Sequence, residues 1–305
     1  MSYRLLTYAG AGGPRAGVLA GETIFDAQAL SNRPDYATVL GILEDWQTAG
    51  AFFTAMLGSG IPDVSGTALA TAELHAPILY PGEIWAAGAN YQDHIAEMSE
   101  GEFAAVNAKK IGGRAWHFNK SSRGAVIGHG ATFPLPEYSH KVDWEIELAV
   151  VIGHRASKVR AVDAMDYVAG YTIANDLSAR DYVVRDGIAP DSPFRFDWLS
   201  HKGFDGACPM GPWIVPANAI ADPQDLDMKL WVDDELMQNS NSRHMIFSIA
   251  EQIEEISARV TMYPGDVILT GTPSGVGMGR GVFLKPGQKL RLWIEKIGEL
   301  EHHFK

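Results

Sequence analysis

Cysteine is nearly absent: Cys208 is the only one in 305 residues. An internal disulfide is therefore excluded, and a reducing compartment fits. Cys208 itself reads as a small buried side chain rather than a nucleophile. No apolar run approaches the ~20 residues that span a bilayer. The start, MSYRLLTYAGAGG, has no basic segment leading into an apolar one, so no signal peptide is expected and the expected location is cytoplasmic. Positive charge is scarce, with 25 Lys and Arg against 37 Asp and Glu, for a formal net charge of −12. That balance argues against non-specific nucleic-acid binding and against docking on anionic lipid. An anionic small substrate stays open, provided a local cation or metal receives it. Repeats, low-complexity runs and linkers are missing too.

What is present is a chain that is 46% hydrophobic, enough for a large core. YRLLTYAGAGGPRAGVLAGETIFDAQAL reads as short strands between Gly-rich turns, and DYATVLGILEDWQTAGAFFTAML as one or two helices. GSGIPDVSG reads as a loop, and a boundary falls near residues 74–82. Residues 1–76 are expected to form a small N-terminal α/β domain and 77–305 the catalytic domain. From there strands dominate: EIWAAG, AVIGHG, DWEIELAVVIG, YVAGYTIAND, PWIVP, LDMKLWVDDELM, DVILTG and KLRLWIEKIG. LWVDDELMQ reads as a hairpin with Asp233 and Asp234 at its tip. SIAEQIEEISARV is the one clear helix of this region. Many short strands, Gly/Pro turns and few helices predict an α+β, β-rich roll or barrel rather than βαβ units.

Several stretches carry chemistry, each with a plain alternative. Glu145 and Glu147 lie two apart in DWEIELAVVIG, which puts both carboxylates on one strand face. They mark either a solvated face or a buried pair, and a buried pair needs a compensating cation. Asp176 ends the strand of YTIANDLSARD, either as a turn cap or as a third oxygen ligand. Three carboxylates without a Cys/His cluster suit a hard cation, Mg²⁺ or Mn²⁺, with Ca²⁺ able to take the same site in a crystal. His94 and Glu97 in NYQDHIAEM share a face if that turn is helical. They form either a surface pair or a base with its orienting carboxylate. The flank GEFAAVNAKKIGG is polar and Gly-bearing, as a lid would be. Lys202 is either a surface lysine or a partner for a substrate carboxylate or enolate. The loop after DVILTG is dense in Gly and small hydroxyls. Its backbone N–H groups, including that of Gly271, can cradle an anion, and Thr272 can add a hydroxyl. No GK[ST] follows, so it is not a P-loop.

In order, GANYQDHIAEM, FNK, KVDWEIELAVVIG, GYTIANDLSARD, KGFDGACPMGPWIVP, MIFSIAEQIEEIS and PGDVILTGTPSGVG resemble the fumarylacetoacetate hydrolase family from about Glu83 to Arg291. The resemblance implies a mixed β-roll C-terminal fold, usually in a homodimer. It implies that Glu145, Glu147 and Asp176 are metal ligands and that His94 and Glu97 activate water. Lys120 of FNK, Lys202 and Thr272 match positions that line the substrate site, and Asn175 and Gly271 beside them are expected there too. Four features depart from the pattern, one being that the stretch between Glu97 and Lys120 is long. Val183 stands where many members carry Gln, RDGIAPDSPFRFDWLSH is long, and Arg243 and His244 replace smaller or acidic residues.

The expected activity is metal-dependent hydrolysis of a C–C bond in a 2,4-dioxo acid of the acylpyruvate type. Lys202 would add positive charge to the departing enolate. The alternatives are decarboxylation of a 2-oxo diacid such as oxaloacetate, isomerisation of a 2-oxo or 2-hydroxy dienoate, or a non-catalytic metabolite-binding role. The partner in each enzymatic case is a small 2-oxo acid.

Overall fold

The computed structural model describes residues 3–60, 64–98 and 108–305. The expected lid residues 101–107, and residues 61–63 of the GSGIPDVSG loop, lie outside that set. Most of the expected strands form. The centre of the molecule is a large mixed sheet in which Cys208–Pro216, Val168–Asn175, Ile146–Ile152, Val267–Leu269, Ile84–Gly88 and Trp116–Lys120 lie side by side in that order. Ile146–Ile152 and Val168–Asn175 are buried at every residue, which explains their near-continuous apolar sequence. Val267–Leu269 runs parallel to Ile84–Gly88.

The N-terminal strands Arg4–Gly10, Gly13–Ala20 and Thr23–Asp26 extend this same sheet, joined where Leu5 faces Ile214. One hydrophobic core runs from Leu5 and Phe53 to Val150 and Leu292. The segment expected to be helical gives Val39–Glu44 and Trp46–Gly58, while DAQAL, read within the strand region, is a short helix instead. Asp26 explains the difference, because its carboxylate caps that helix at Ala29 N–H and stops the strand.

A second sheet orders Glu235–Asn241, Asp227–Val232, Lys289–Ile294 and Gly298–Phe304, and packs on the first. Asp233 and Asp234 form the two-residue hairpin turn, with Asp233 at a φ of 53°. The helix Ile249–Ser257 begins with a reciprocal Ser248–Glu251 capping box.

DWEIELAVVIG departs from a single strand. Val142–Asp143 pairs with Ser178–Ala179, and the main ladder begins only at Ile146. Trp144 and Glu145 form the step between, and Glu145 sits beside the Asn175 end of Val168–Asn175. Glu145 O accepts from Asp176 N–H at 2.9 Å, and Glu145 N–H donates to Asn175 Oδ1 at 2.9 Å.

Candidate active site

Antiparallel pairing brings the three acids together. Ile146 faces Asn175 across the ladder, so Glu145, Glu147 and Asp176 converge at one strand end. One carboxylate oxygen from each lies within 4.8 Å of the others, and all three residues are buried. The solvated-face reading is therefore excluded.

Cations ring the acids unequally. Lys202 Nζ bridges Glu145 Oε2 at 2.8 Å and Asp176 Oδ2 at 2.6 Å. Lys120 Nζ bonds Asp176 Oδ1, and Arg180 bonds both Glu145 and Asp143. Burial disfavours charge on Glu145, yet Lys202 and Arg180 hold its pKa well below the usual carboxylate range. Lys202 is opposed by its own burial, but Asp176 and Glu145 keep its pKa raised. Glu147 differs. Among the described residues it has no cationic partner, only the Gly271 N–H. Burial first, then Asp176 and Glu145, push its pKa well up. The donor set is thus three oxygens around a point where negative charge is under-compensated. A hard divalent cation fits that environment, and Glu147 is where it is most needed.

His94 and Glu97 lie on the helix Gln92–Met98. His94 lines the cavity with the acids, and its Nδ1 is 3.9 Å from Glu97 Oε2, beyond hydrogen-bond length. His94 Nδ1 is buried without a hydrogen-bond partner. Glu97 is pinned by Gly275 N–H at 2.9 Å. Burial opposes its charge, but His94 and that backbone donor leave its pKa lowered. The carboxylate is therefore an anion poised to orient an imidazole.

The glycine-rich loop does cradle anions, but they belong to the protein. Gly271 N–H serves Glu147, Gly275 N–H serves Glu97, Gly277 and Met278 N–H serve Asp143, and Ser274 Oγ serves Asp93. Gly271 has a φ of 100°, and an added Cβ would meet Asn90 Cβ at 2.7 Å, so only glycine delivers this N–H. Its expected contact with substrate is replaced by a contact with a candidate ligand.

Asn175 is redirected in the same way. Its Oδ1 accepts from Glu145 N–H and its Nδ2 lies 3.0 Å from His302 Nε2, and it is not on the cavity wall. Because Nδ2 is a donor, His302 Nε2 accepts and the proton sits on Nδ1. Lys120 is likewise buried behind Asp176. Thr272 does reach the cavity, with its Oγ1 donating to Ile146 O and accepting from Gln238 Nε2. Val183, Arg243 and His244 are not on the cavity wall; Arg243 pairs with Asp225.

Four contributors were missed. Arg180, Asp143, Gln238 and His302 hold the acids and their loop in place. Arg180 had a local signal, a single Arg among the buried residues of LSARD. The others act across 37 to 134 residues of sequence, for which local spacing carries no sign.

Residues 83–305 match the family model described as fumarylacetoacetate (FAA) hydrolase C-terminal. The chain belongs to the FAA hydrolase family. It is 38% identical over 263 residues to an oxaloacetate tautomerase of Rattus norvegicus (Fahd2a, mitochondrial), covering 86% of this chain and 77% of that one. Among solved structures it resembles maleylpyruvate hydrolase from Sphingobium sp. SYK-6, described in complex with manganese(II) and pyruvate. That likeness has a TM-score of 0.75 and 30% identity over 99% of this chain and 98% of that chain. It also resembles 2-hydroxyhepta-2,4-diene-1,7-dioate isomerase from Mycobacterium marinum, with a TM-score of 0.72 and 30% identity over 99% and 98%. The family members named here are enzymes: a tautomerase, a hydrolase and an isomerase. No helix among the described residues is long and apolar enough to cross a membrane.

Proposed function

We propose that this FAA hydrolase family member is a divalent-metal-dependent hydrolase that cleaves the C3–C4 bond of a 2,4-dioxo acid into pyruvate and a carboxylic acid. The observation that carries this reading is His94 on the wall of the cavity that holds the acid triad, with the Glu97 carboxylate 3.9 Å from its Nδ1: a base placed beside a site for an anionic carbonyl compound. A divalent cation held by Glu145, Glu147 and Asp176 would act as a Lewis acid on the substrate's carboxylate and 2-oxo group.

His94, oriented by Glu97, takes a proton from water as its oxygen adds to C4. The C3–C4 bond then breaks and its electron pair becomes the enolate of pyruvate. The proton held by His94 returns to C3, giving pyruvate and the acid. Lys202 lies against Glu145 and Asp176 on the cavity wall, so its charge favours the developing enolate.

A second reading is keto–enol tautomerisation of a 2-oxo diacid, favoured by the 38% identity with an oxaloacetate tautomerase. There His94 moves a proton at C3 and no bond between carbons breaks. Product analysis separates the two. With a divalent cation, a 2,4-dioxo acid should give equimolar pyruvate and carboxylic acid, and His94→Ala should lose at least 100-fold of this rate. Faster enol–keto exchange of oxaloacetate with no cleavage of any 2,4-dioxo acid would overturn hydrolysis in favour of the tautomerase.

A further inference from the structure

We propose that the distal end of the substrate is a flat apolar acyl group, bound against a wall of Trp116, Phe118 and Trp198, and that it bears no second carboxylate. This inference rests on the 2,4-dioxo acid reading and names the tail that the reading leaves open.

The wall and the acids border one cavity of about 250 Å³. Trp116 and Phe118 are two apart on the strand Trp116–Lys120, so both side chains take the same face. Trp198 arrives from the long segment that precedes Lys202. Its ring stacks on Phe118 at 5.1 Å and 28°, and meets Trp116 edge-on at 4.9 Å. Trp116 keeps 47% of its surface exposed, which leaves apolar ring area free to receive a ligand. Its position is built in: a Cβ on Gly88 would lie 1.7 Å from Trp116 Cε3, so the ring rests directly on a bare glycine.

Charge makes the same point by exclusion. The cavity's permanent cations, Arg180 and Lys202, are already bonded to Asp143, Glu145 and Asp176. His201 also borders it, but burial and then Lys202 lower its pKa to about 3, leaving it neutral. His94 on the same wall is assigned to the attacking water, and among the described residues no other basic group there remains for a distal carboxylate, which would be desolvated without a partner. Residues 99–107 contain no Lys, Arg or His. Oxaloacetate and maleylpyruvate both carry such a carboxylate, so the chain should differ in substrate from the tautomerase and the hydrolase it resembles.

Binding tests the wall apart from turnover. Calorimetry on the manganese-loaded protein compares pyruvate, oxaloacetate and 2-oxo-4-phenylbutanoate, which lacks a 4-oxo group and cannot be cleaved. The phenyl ligand should bind at least 10-fold more tightly than either of the others. Trp198→Ala should reduce that advantage to about 2-fold and Trp198→Phe should restore most of it. Gly88→Ala, which must displace the Trp116 ring, should reduce it independently and decides the matter if Trp198→Ala does not fold. In parallel, benzoylpyruvate should be hydrolysed with kcat/KM at least 10-fold above acetylpyruvate. Equal affinities, tighter binding of oxaloacetate, or an advantage unmoved by Trp198→Ala and Gly88→Ala would overturn the wall. Tight, Trp198-dependent binding without cleavage would keep the wall and sink the hydrolase reading. Cleavage without aromatic preference would do the reverse.

Discussion

Replacing Lys202 with Met should make the stability of the protein depend on metal. The Lys202 ammonium is buried and holds Glu145 and Asp176 together, at 2.8 and 2.6 Å. Lys202→Met keeps the volume and removes the charge, leaving two buried carboxylates short of a partner. Breaking a buried ion pair in this way costs about 3–5 kcal/mol. At about 2.1 cal/mol/K per residue, 305 residues give an unfolding entropy near 0.64 kcal/mol/K, so a loss of about 4 kcal/mol lowers Tm by about 6 °C. Calorimetry in excess chelator reads that loss. A divalent cation then supplies the charge that was removed. At 100 times its Kd it stabilises the wild type by about 2.7 kcal/mol, and the more negative site of the variant should gain more. The Tm gap between variant and wild type should fall by at least half when Mn²⁺ is added. A gap that is the same with and without metal, or a variant as stable as wild type in chelator, would refute the charge balance described for the triad.

Three further outcomes follow from the same contacts. Glu147 has its pKa raised by burial and by the neighbouring acids, so in the metal-free protein a proton competes with the cation; Mn²⁺ affinity should fall as pH drops through the range where Glu147 takes up that proton, and a pH-independent Kd would contradict this. His302 is held neutral by burial, with its pKa lowered to about 3, and His201 likewise, while an unfolded imidazole titrates near 6.5. Stability from these groups is complete above about 6.5 and is lost as pH falls toward 3, so urea unfolding at pH 5 should show a loss of about 2 kcal/mol per imidazole, and a flat profile from pH 7 to 5 would count against their neutral burial. Gly271→Ala forces a Cβ onto Asn90 at a φ of 100°; it should lower stability by about 1–3 kcal/mol and weaken Mn²⁺ binding, whereas wild-type metal affinity would show that the Gly271 N–H does not position Glu147.

The strands were legible because their burial is written in composition. IELAVVI and VAGYTIAN are apolar on both faces, and the structure buries every residue of both. Glu145, Glu147 and Asp176 were legible as a set because two lie two apart and the third ends a strand, although Glu145 occupies the step before the ladder rather than the strand face that alternation predicted. What surrounds them was not. Asn175 sits next to Asp176 in sequence and was expected to line the substrate site, but its side chain bonds Glu145 N–H and His302. Gly271 was read as an anion cradle, correctly in chemistry, but the anion is Glu147. Such pairings join residues 30 to 127 positions apart, and only the folded sheet sets them. Trp116 and Phe118 carried a local sign, two aromatics on one strand face. Nothing in their spacing announces Trp198, which reaches them from a segment whose length alone stood out.

Titration of chelator-treated protein with Mn²⁺, followed by electron paramagnetic resonance of the free ion, tests the buried triad most directly. The wild type should bind one equivalent per chain, and Glu147→Gln should weaken that binding at least 10-fold while Thr67→Ala, on the exposed edge strand, leaves it unchanged. No binding by the wild type, or equal affinity in Glu147→Gln, would contradict a metal centre at Glu145, Glu147 and Asp176.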